Sequence, residues 1–171
     1  IKDLSKGSRI YFPVHVKGAK LSVGDLHFSQ GDGEITFCGG IEMPGWIELR
    51  VNVIKNGMEK YHIKKNPTFK PGPLLPNYND YIVFEGISVN EFTGEQKYND
   101  ATTAYRNAVL NAIEFLKTRG FTGEQAYMLL GTAPVQGTVA GIVDVPNACC
   151  TIAIPREIFK DDIVPSLEPD E

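Results

Sequence analysis

The sequence predicts an α+β fold, in which a β-rich barrel or sandwich is followed by a small α/β layer with two helices. In the first third, short runs of β-branched and aromatic residues are broken by glycine, which is typical of strands. After residue 100 the apolar residues instead recur with the period of a helix. The 171 residues, 42% of them hydrophobic and 22% charged, suffice for one globular domain or two small ones.

The chain is predicted to fall into four parts. Residues 1–63 form the β-rich part, 64–80 a proline-rich connection, 81–165 the α/β part, and 166–171 a disordered acidic tail. The connection, KKNPTFKPGPLLPNYND, contains four prolines and a glycine, so it can support neither a helix nor a central strand.

Four strands are expected in the β-rich part: GSRIYFPVHV, AKLSVGDLHF, GEITFCGG and WIELRVNVIK. The last one alternates cleanly between two faces. Its polar face would carry Trp46, Glu48, Arg50 and Asn52, and its apolar face Ile47, Leu49, Val51 and Val53.

The α/β part begins with the strand YIVFEGISV and then changes period. Asp100 can cap a helix over ATTAYRNAVLNAIEFLKTR, with Gly120 as its stop and an apolar stripe made of Ala101, Ala104, Ala108, Ala112 and Phe115. Thr122 and Gln125 have the spacing of a capping box, which predicts a second, short helix ending at Gly131. The strands VAGIVDVPN and ACCTIAIP would complete the layer.

The segment GDLHFSQGDGE, residues 24–34, holds three carboxylates and one of the chain's three histidines. Residues two apart on a strand share a face, which would place Asp25 beside His27. A turn at residues 29–33 would bring Asp32 and Glu34 back toward them on the next strand. Carboxylate and imidazole groups suit Zn²⁺, and an oxygen-rich version of the site suits Ca²⁺. A solvent-exposed Asp-Gly turn is the alternative for Asp32.

Composition excludes several classes of protein. A net charge of −4 and a pI near 5.4 argue against a nucleic-acid surface. The sequence contains no run of eighteen apolar residues, so no membrane span is predicted. The cysteines are Cys38, Cys149 and Cys150, an odd number with two adjacent, which indicates reduced thiols and a cytoplasmic location. They are expected to be buried small hydrophobes, although a cysteine nucleophile stays open.

The chain also resembles a known family. GDLHFSQGDGEITFCGGIEMPGWIELRVNVIK, DYIVFEGISV, TAYRNAVLNAIEFL, GFTGEQAYMLLGTAPVQG and IVDVPNACC are similar, in this order, to segments of the acetamidase/formamidase family, and most of all to its formamidases. The resemblance runs from about Pro13 to Pro165. Members of that family are about twice as long, so this chain is similar to their C-terminal half, and the N-terminal half is an expected partner.

The resemblance implies hydrolysis of a short aliphatic amide, formamide or acetamide, by a cytoplasmic homo-oligomer. It assigns the family's Asp-x-His and Gly-Asp-Gly-Glu motifs to Asp25, His27, Asp32 and Glu34, and its Gly-x-Ile-Glu turn to Glu42. The first four would bind a divalent metal, with Zn²⁺ favoured over Ca²⁺. Glu42, with Glu34 in reserve, would act as the general base. The competing hypothesis is a non-catalytic β-module in which a structural Ca²⁺ serves assembly.

Overall fold

The structure is a computed structural model that describes residues 1–36, 39–73, 80–143 and 145–164. Its elements in chain order are β1 (Arg9–Tyr11), β2 (His27–Ser29), β3 (Ile41–Glu42), α1 (Gly57–Tyr61), β4 (Thr68–Lys70), β5 (Tyr81–Ile87), α2 (Ala101–Thr118), α3 (Gly123–Thr132), β6 (Gln136–Ile142) and β7 (Ala148–Pro155), followed by a 3₁₀ turn, Arg156–Ile158. The α+β class is therefore confirmed. The described strands form three open sheets, β1-β4, β2-β3 and β5-β7-β6, and close no barrel. The predicted acidic tail, 166–171, lies outside the described residues.

The chain divides into two compact units. The first unit comprises Ile1–Phe28 and Glu42–Asn77, and the second comprises Ser29–Ile41 and Tyr78–Glu171. The predicted β-rich part, 1–63, thus contributes residues to both units.

The first unit contains little regular structure. Strand β1 pairs antiparallel with β4, with Ile10 opposite Phe69, and the five-residue helix α1 was not anticipated. Strand β4 lies inside the predicted proline-rich connection, directly after Pro67. This placement fits a two-stranded sheet, in which proline can precede a strand without removing a hydrogen bond from its centre.

Several predicted strands are shorter or missing. Only Arg9–Tyr11 of GSRIYFPVHV and the last two residues of AKLSVGDLHF lie in strands. The described residues of WIELRVNVIK and GEITFCGG include no strand residue. An alternating pattern makes a segment suitable for a sheet, but a strand forms only where a second segment supplies hydrogen-bond partners.

The second unit is a two-layer α/β structure. Strands β5 and β6 both pair antiparallel with β7, which is central in the sheet. One sheet face is covered by the helices, and the core between the layers contains Phe84, Ala108, Val109, Ala112, Leu116, Ala126, Leu130, Val135, Ile152 and Ile154. Gly86 on β5 permits the close approach of α2, because a Cβ atom there would lie 2.3 Å from the Ala104 carbonyl oxygen and the Ala108 nitrogen.

Both helices were predicted correctly, with their starting residues. The Asp100 side chain accepts a hydrogen bond from Thr103 N, and Thr122 and Gln125 form a reciprocal capping box. Helix α3 ends at Thr132, one residue beyond the predicted Gly131. None of the helices within the described ranges is long and apolar enough to cross a membrane.

Candidate metal centre

Three side chains that can bind a metal lie together in the first unit. Asp25, His27 and Glu42 each offer one ligand atom, and these atoms all lie within 4.8 Å of one another. His27 begins β2 and Glu42 ends β3, the strand that pairs with β2. The main chain reinforces this arrangement, because Met43 N donates to the carbonyl oxygen of Leu26 over 2.9 Å. The pairing of β2 and β3 therefore brings Glu42 to a histidine fifteen positions earlier in the chain.

His27 and Asp25 are in direct contact within the cluster. His27 Nε2 and Asp25 Oδ1 are 3.1 Å apart, and the two side chains are 14% and 70% exposed. The imidazole is thus largely covered, whereas the carboxylate faces solvent. A small ion could reach the pair from the side of Asp25.

The donor set fits a divalent cation. His27 Nε2 and Asp25 Oδ1 are within hydrogen-bond distance, at 3.1 Å. Zinc–ligand bonds of about 2.0–2.2 Å place two ligands of a tetrahedral ion roughly 3.3 Å apart, so an ion could replace this hydrogen bond with little movement of either side chain. An imidazole nitrogen is an accepted ligand of zinc, whereas calcium takes oxygen ligands. The composition of the cluster therefore favours zinc or a similar transition metal over calcium.

The backbone at Asp25 departs from the predicted strand. Its φ of 59° lies in the left-handed region, where aspartate is one of the better tolerated residues that carry a Cβ atom. Strand geometry was expected to place Asp25 and His27 on one face. The two side chains do meet, but with Asp25 in a left-handed conformation rather than in a strand.

Asp32 lies in the second unit and makes a different set of contacts. Its main-chain nitrogen donates to the carbonyl oxygen of Val135 over 3.2 Å, and its carboxylate Oδ2 accepts from Gly137 N over 3.0 Å. Its own carbonyl oxygen accepts from the hydroxyl of Tyr105 at 2.8 Å. These contacts tie the Asp32 turn to strand β6 and helix α2. The role of Asp32 as a metal ligand stays a prediction.

Glu34 also lies in the second unit. Its φ is 42°, and its Oε1 accepts from Gly40 N over 3.3 Å. Its main-chain nitrogen donates to the carbonyl oxygen of Gly31 over 3.1 Å, which closes the glycine-rich turn. Its predicted roles as ligand and reserve base stay predictions.

Tyr105 was not singled out in the sequence, although it holds the Asp32 turn. Burial, together with the nearby charges of Asp32 and Cys150, raises the pKa of its hydroxyl to about 12. Its ring packs against two glycines, because a Cβ atom at Gly137 would lie 2.8 Å from the hydroxyl oxygen and one at Gly33 would lie 3.1 Å from it. The sequence signal that could have pointed to Tyr105 was a single tyrosine among the alanines of helix α2.

Of the described cysteines, Cys150 lacks the surroundings of a nucleophile. Cys149 and Cys150 are both free thiols, and Cys150 is buried. Burial raises the pKa of the Cys150 thiol, which disfavours the reactive thiolate. Cys38 lies outside the described residues. For Cys150 the structure supports the expected role of a small buried hydrophobe.

Comparison with known proteins decides the family. The model of the Acetamidase/Formamidase family matches residues 1–161. The chain belongs to this family. The predicted resemblance is therefore confirmed.

Two relatives and one solved structure show how far the similarity extends. A formamidase of Methylophilus methylotrophus is 61% identical over 168 residues, which cover 98% of this chain and 41% of that protein. An acetamidase of Mycolicibacterium smegmatis is 58% identical over 140 residues, which cover 82% of this chain and 34% of that protein. The structure of a gamma lactamase from Delftia acidovorans is 66% identical, with a TM-score of 0.93, and the match covers 96% of this chain and 40% of that one. The chain thus spans about two fifths of the length of its formamidase relative.

Proposed function

We propose that this chain is part of an amidohydrolase that converts a short linear amide, such as formamide or acetamide, to the carboxylic acid and ammonia. The observation that carries the proposal is the cluster of Asp25, His27 and Glu42 in a member of a family whose relatives are named formamidase and acetamidase. An unactivated amide resists neutral water, so the reaction needs a polarised carbonyl and an activated nucleophile.

In this proposal Asp25 and His27 hold a divalent cation, with zinc first and calcium second. When bound, such an ion polarises a carbonyl oxygen and lowers the pKa of water toward ~7. His27 has to bind through a neutral nitrogen, and the exposed carboxylate of Asp25 supplies the compensating negative charge. The sequence also predicts Asp32 and Glu34 as ligands, but both belong to the second unit, where Asp32 accepts from Gly137 N and Glu34 accepts from Gly40 N.

Glu42 is assigned to proton transfer. Its carboxylate lies within 4.8 Å of the ligand atoms of Asp25 and His27, near enough to reach a water molecule held beside them. There it would take a proton from the attacking water and deliver it to the departing ammonia. The same position would also allow Glu42 to serve as a third ligand, which gives the assignment a direct test.

The test uses the complete polypeptide that contains this sequence and compares ammonia release and metal content. Glu42→Gln is expected to keep the metal and to lower turnover by roughly 10² or more. Glu59→Gln, a change at an exposed carboxylate of the same unit, serves as the control and is expected to leave both unchanged. Loss of the metal in Glu42→Gln would make Glu42 a ligand. Normal turnover in this variant would remove Glu42 from the mechanism.

The proposal includes partners and a location. The rest of the polypeptide, expected to be an N-terminal half, would complete the pocket for the amide, and the whole enzyme would be a cytoplasmic homo-oligomer. The free thiols of Cys149 and Cys150 support a reducing compartment. This chain matches only 41% and 34% of the lengths of these relatives, which supports the need for further chain.

A further inference from the structure

The segment from Trp46 to Ile54, called here the 46–54 segment, has the sequence of a strand without the structure of one. Its apolar side chains alternate with the polar ones, as in a half-buried strand. All four side chains of the apolar face are exposed: Ile47 by 54%, Leu49 by 50%, Val51 by 68% and Val53 by 84%. A contiguous apolar row of this kind is typical of a contact surface.

The main chain of this segment is also unpaired. Among the described residues, no backbone hydrogen bond involves residues 46–53, and the neighbouring ones belong to Met43 and to the turn from Ile54 to Gly57. Backbone N–H and C=O groups without partners can pair with a further strand. The segment thus offers hydrogen bonds along its edges and an apolar row on one face.

In the part of the chain that the structure describes, the unit that contains the 46–54 segment has no core of its own. Every described residue of Ile1–Phe28 and Glu42–Asn77 is at least partly exposed, whereas the buried residues among those described all lie in the second unit. A unit of this size needs a buried apolar layer to be stable. That layer has to come from elsewhere.

We propose that the 46–54 segment is a β-strand in the complete polypeptide, where it is paired and covered by the part of the chain outside this sequence. More than half of the formamidase relative lies outside the match. A corresponding stretch of chain in this protein would supply the covering layer. A second copy of the same unit would bring only another surface without a core. Covalently attached chain, in contrast, is present at high effective concentration.

Hydrogen–deuterium exchange tests this inference on the unmodified protein. In the complete polypeptide, the amides of Ile47–Val53 should exchange on the order of 10² times more slowly than in the isolated 171-residue chain. The protection should not depend on protein concentration. Rapid exchange in both forms would overturn the inference, and so would protection that appears only as the protein dimerises, since a second copy would then be the partner.

A matched pair of variants in the complete polypeptide tests the apolar face. Val51→Asp should lower the melting temperature by about 5 °C or more, because it places a charge in the covered layer. Asn52→Asp adds the same charge at the next residue, on the polar face, and should change the melting temperature little. Equal effects of the two substitutions would show that the apolar face is not covered and would overturn the inference.

Discussion

The hydroxyl of Tyr105 donates a hydrogen bond to the main-chain carbonyl oxygen of Asp32 over 2.8 Å, joining helix α2 to a turn 73 residues earlier in the chain. The carboxylate of the same aspartate accepts from Gly137 N at the start of strand β6. Both bonds lie within the second unit. They fix the turn at Asp32, for which the sequence suggests either metal ligands or an exposed Asp-Gly turn, so part of its polar character serves the fold.

Alkaline pH should weaken the second unit through Tyr105. Its pKa is raised from 10.0 to about 12 in the folded chain, so the folded state keeps a proton that the unfolded state loses first. The stabilisation from the neutral hydroxyl is fully present below pH 10 and is lost as the pH rises toward 12. Thermal melting between pH 9 and 12 should therefore fall more steeply for the native chain than for Tyr105→Phe. If the melting temperatures of the two proteins fall in parallel as the pH rises, Tyr105 does not cause the loss of stability at alkaline pH.

Asp32 should affect stability more than metal binding. Asp32→Ala removes the acceptor of the Gly137 N–H group, at a cost of about 1–2 kcal/mol in the free energy of unfolding. Asp32→Asn retains an acceptor oxygen, so its free energy of unfolding should fall less than that of Asp32→Ala. Urea denaturation measures both values, and elemental analysis of Asp32→Asn should find the metal content of the native chain. A metal content reduced in Asp32→Asn would instead identify Asp32 as a ligand, as the sequence predicted.

Gly86 should be among the least replaceable residues of the sheet. In Gly86→Ala the new Cβ atom would lie 2.3 Å from main-chain atoms of α2, so the helix has to move away from β5. We expect a loss of about 2–3 kcal/mol in the free energy of unfolding. Gly123→Ala provides the control, because a Cβ atom at this first residue of α3 meets nothing within 4 Å. Similar urea midpoints for the two variants would contradict the close packing.

The sequence predicted those elements whose signals are local. The cap at Asp100 and the capping box of Thr122 and Gln125 lie within one helical turn of the residues that they hold, so both helices were found. Strands depend on distant partners. WIELRVNVIK alternates as well as any strand of the chain, yet no described segment pairs with it.

The same distinction applies to the candidate site. Asp25 and His27 are two residues apart, and spacing alone suggested that they would meet. Glu42 joins them through the pairing of β2 with β3, which no local pattern specifies. Only the family resemblance pointed to Glu42. It led to the prediction that Glu42 is the general base, not that it is a metal ligand.

The most direct test of the account is the metal content of the complete polypeptide that contains this sequence and of its His27→Ala variant, purified side by side and loaded with Zn²⁺ or Ca²⁺. His62→Ala, which changes another histidine of the first unit, is the matched control. Elemental mass spectrometry should find stoichiometric zinc in the native protein and in His62→Ala, and loss of most of that zinc in His27→Ala. Zinc retained unchanged in His27→Ala, or retention of calcium alone, would contradict a metal centre at Asp25 and His27 that serves amide hydrolysis.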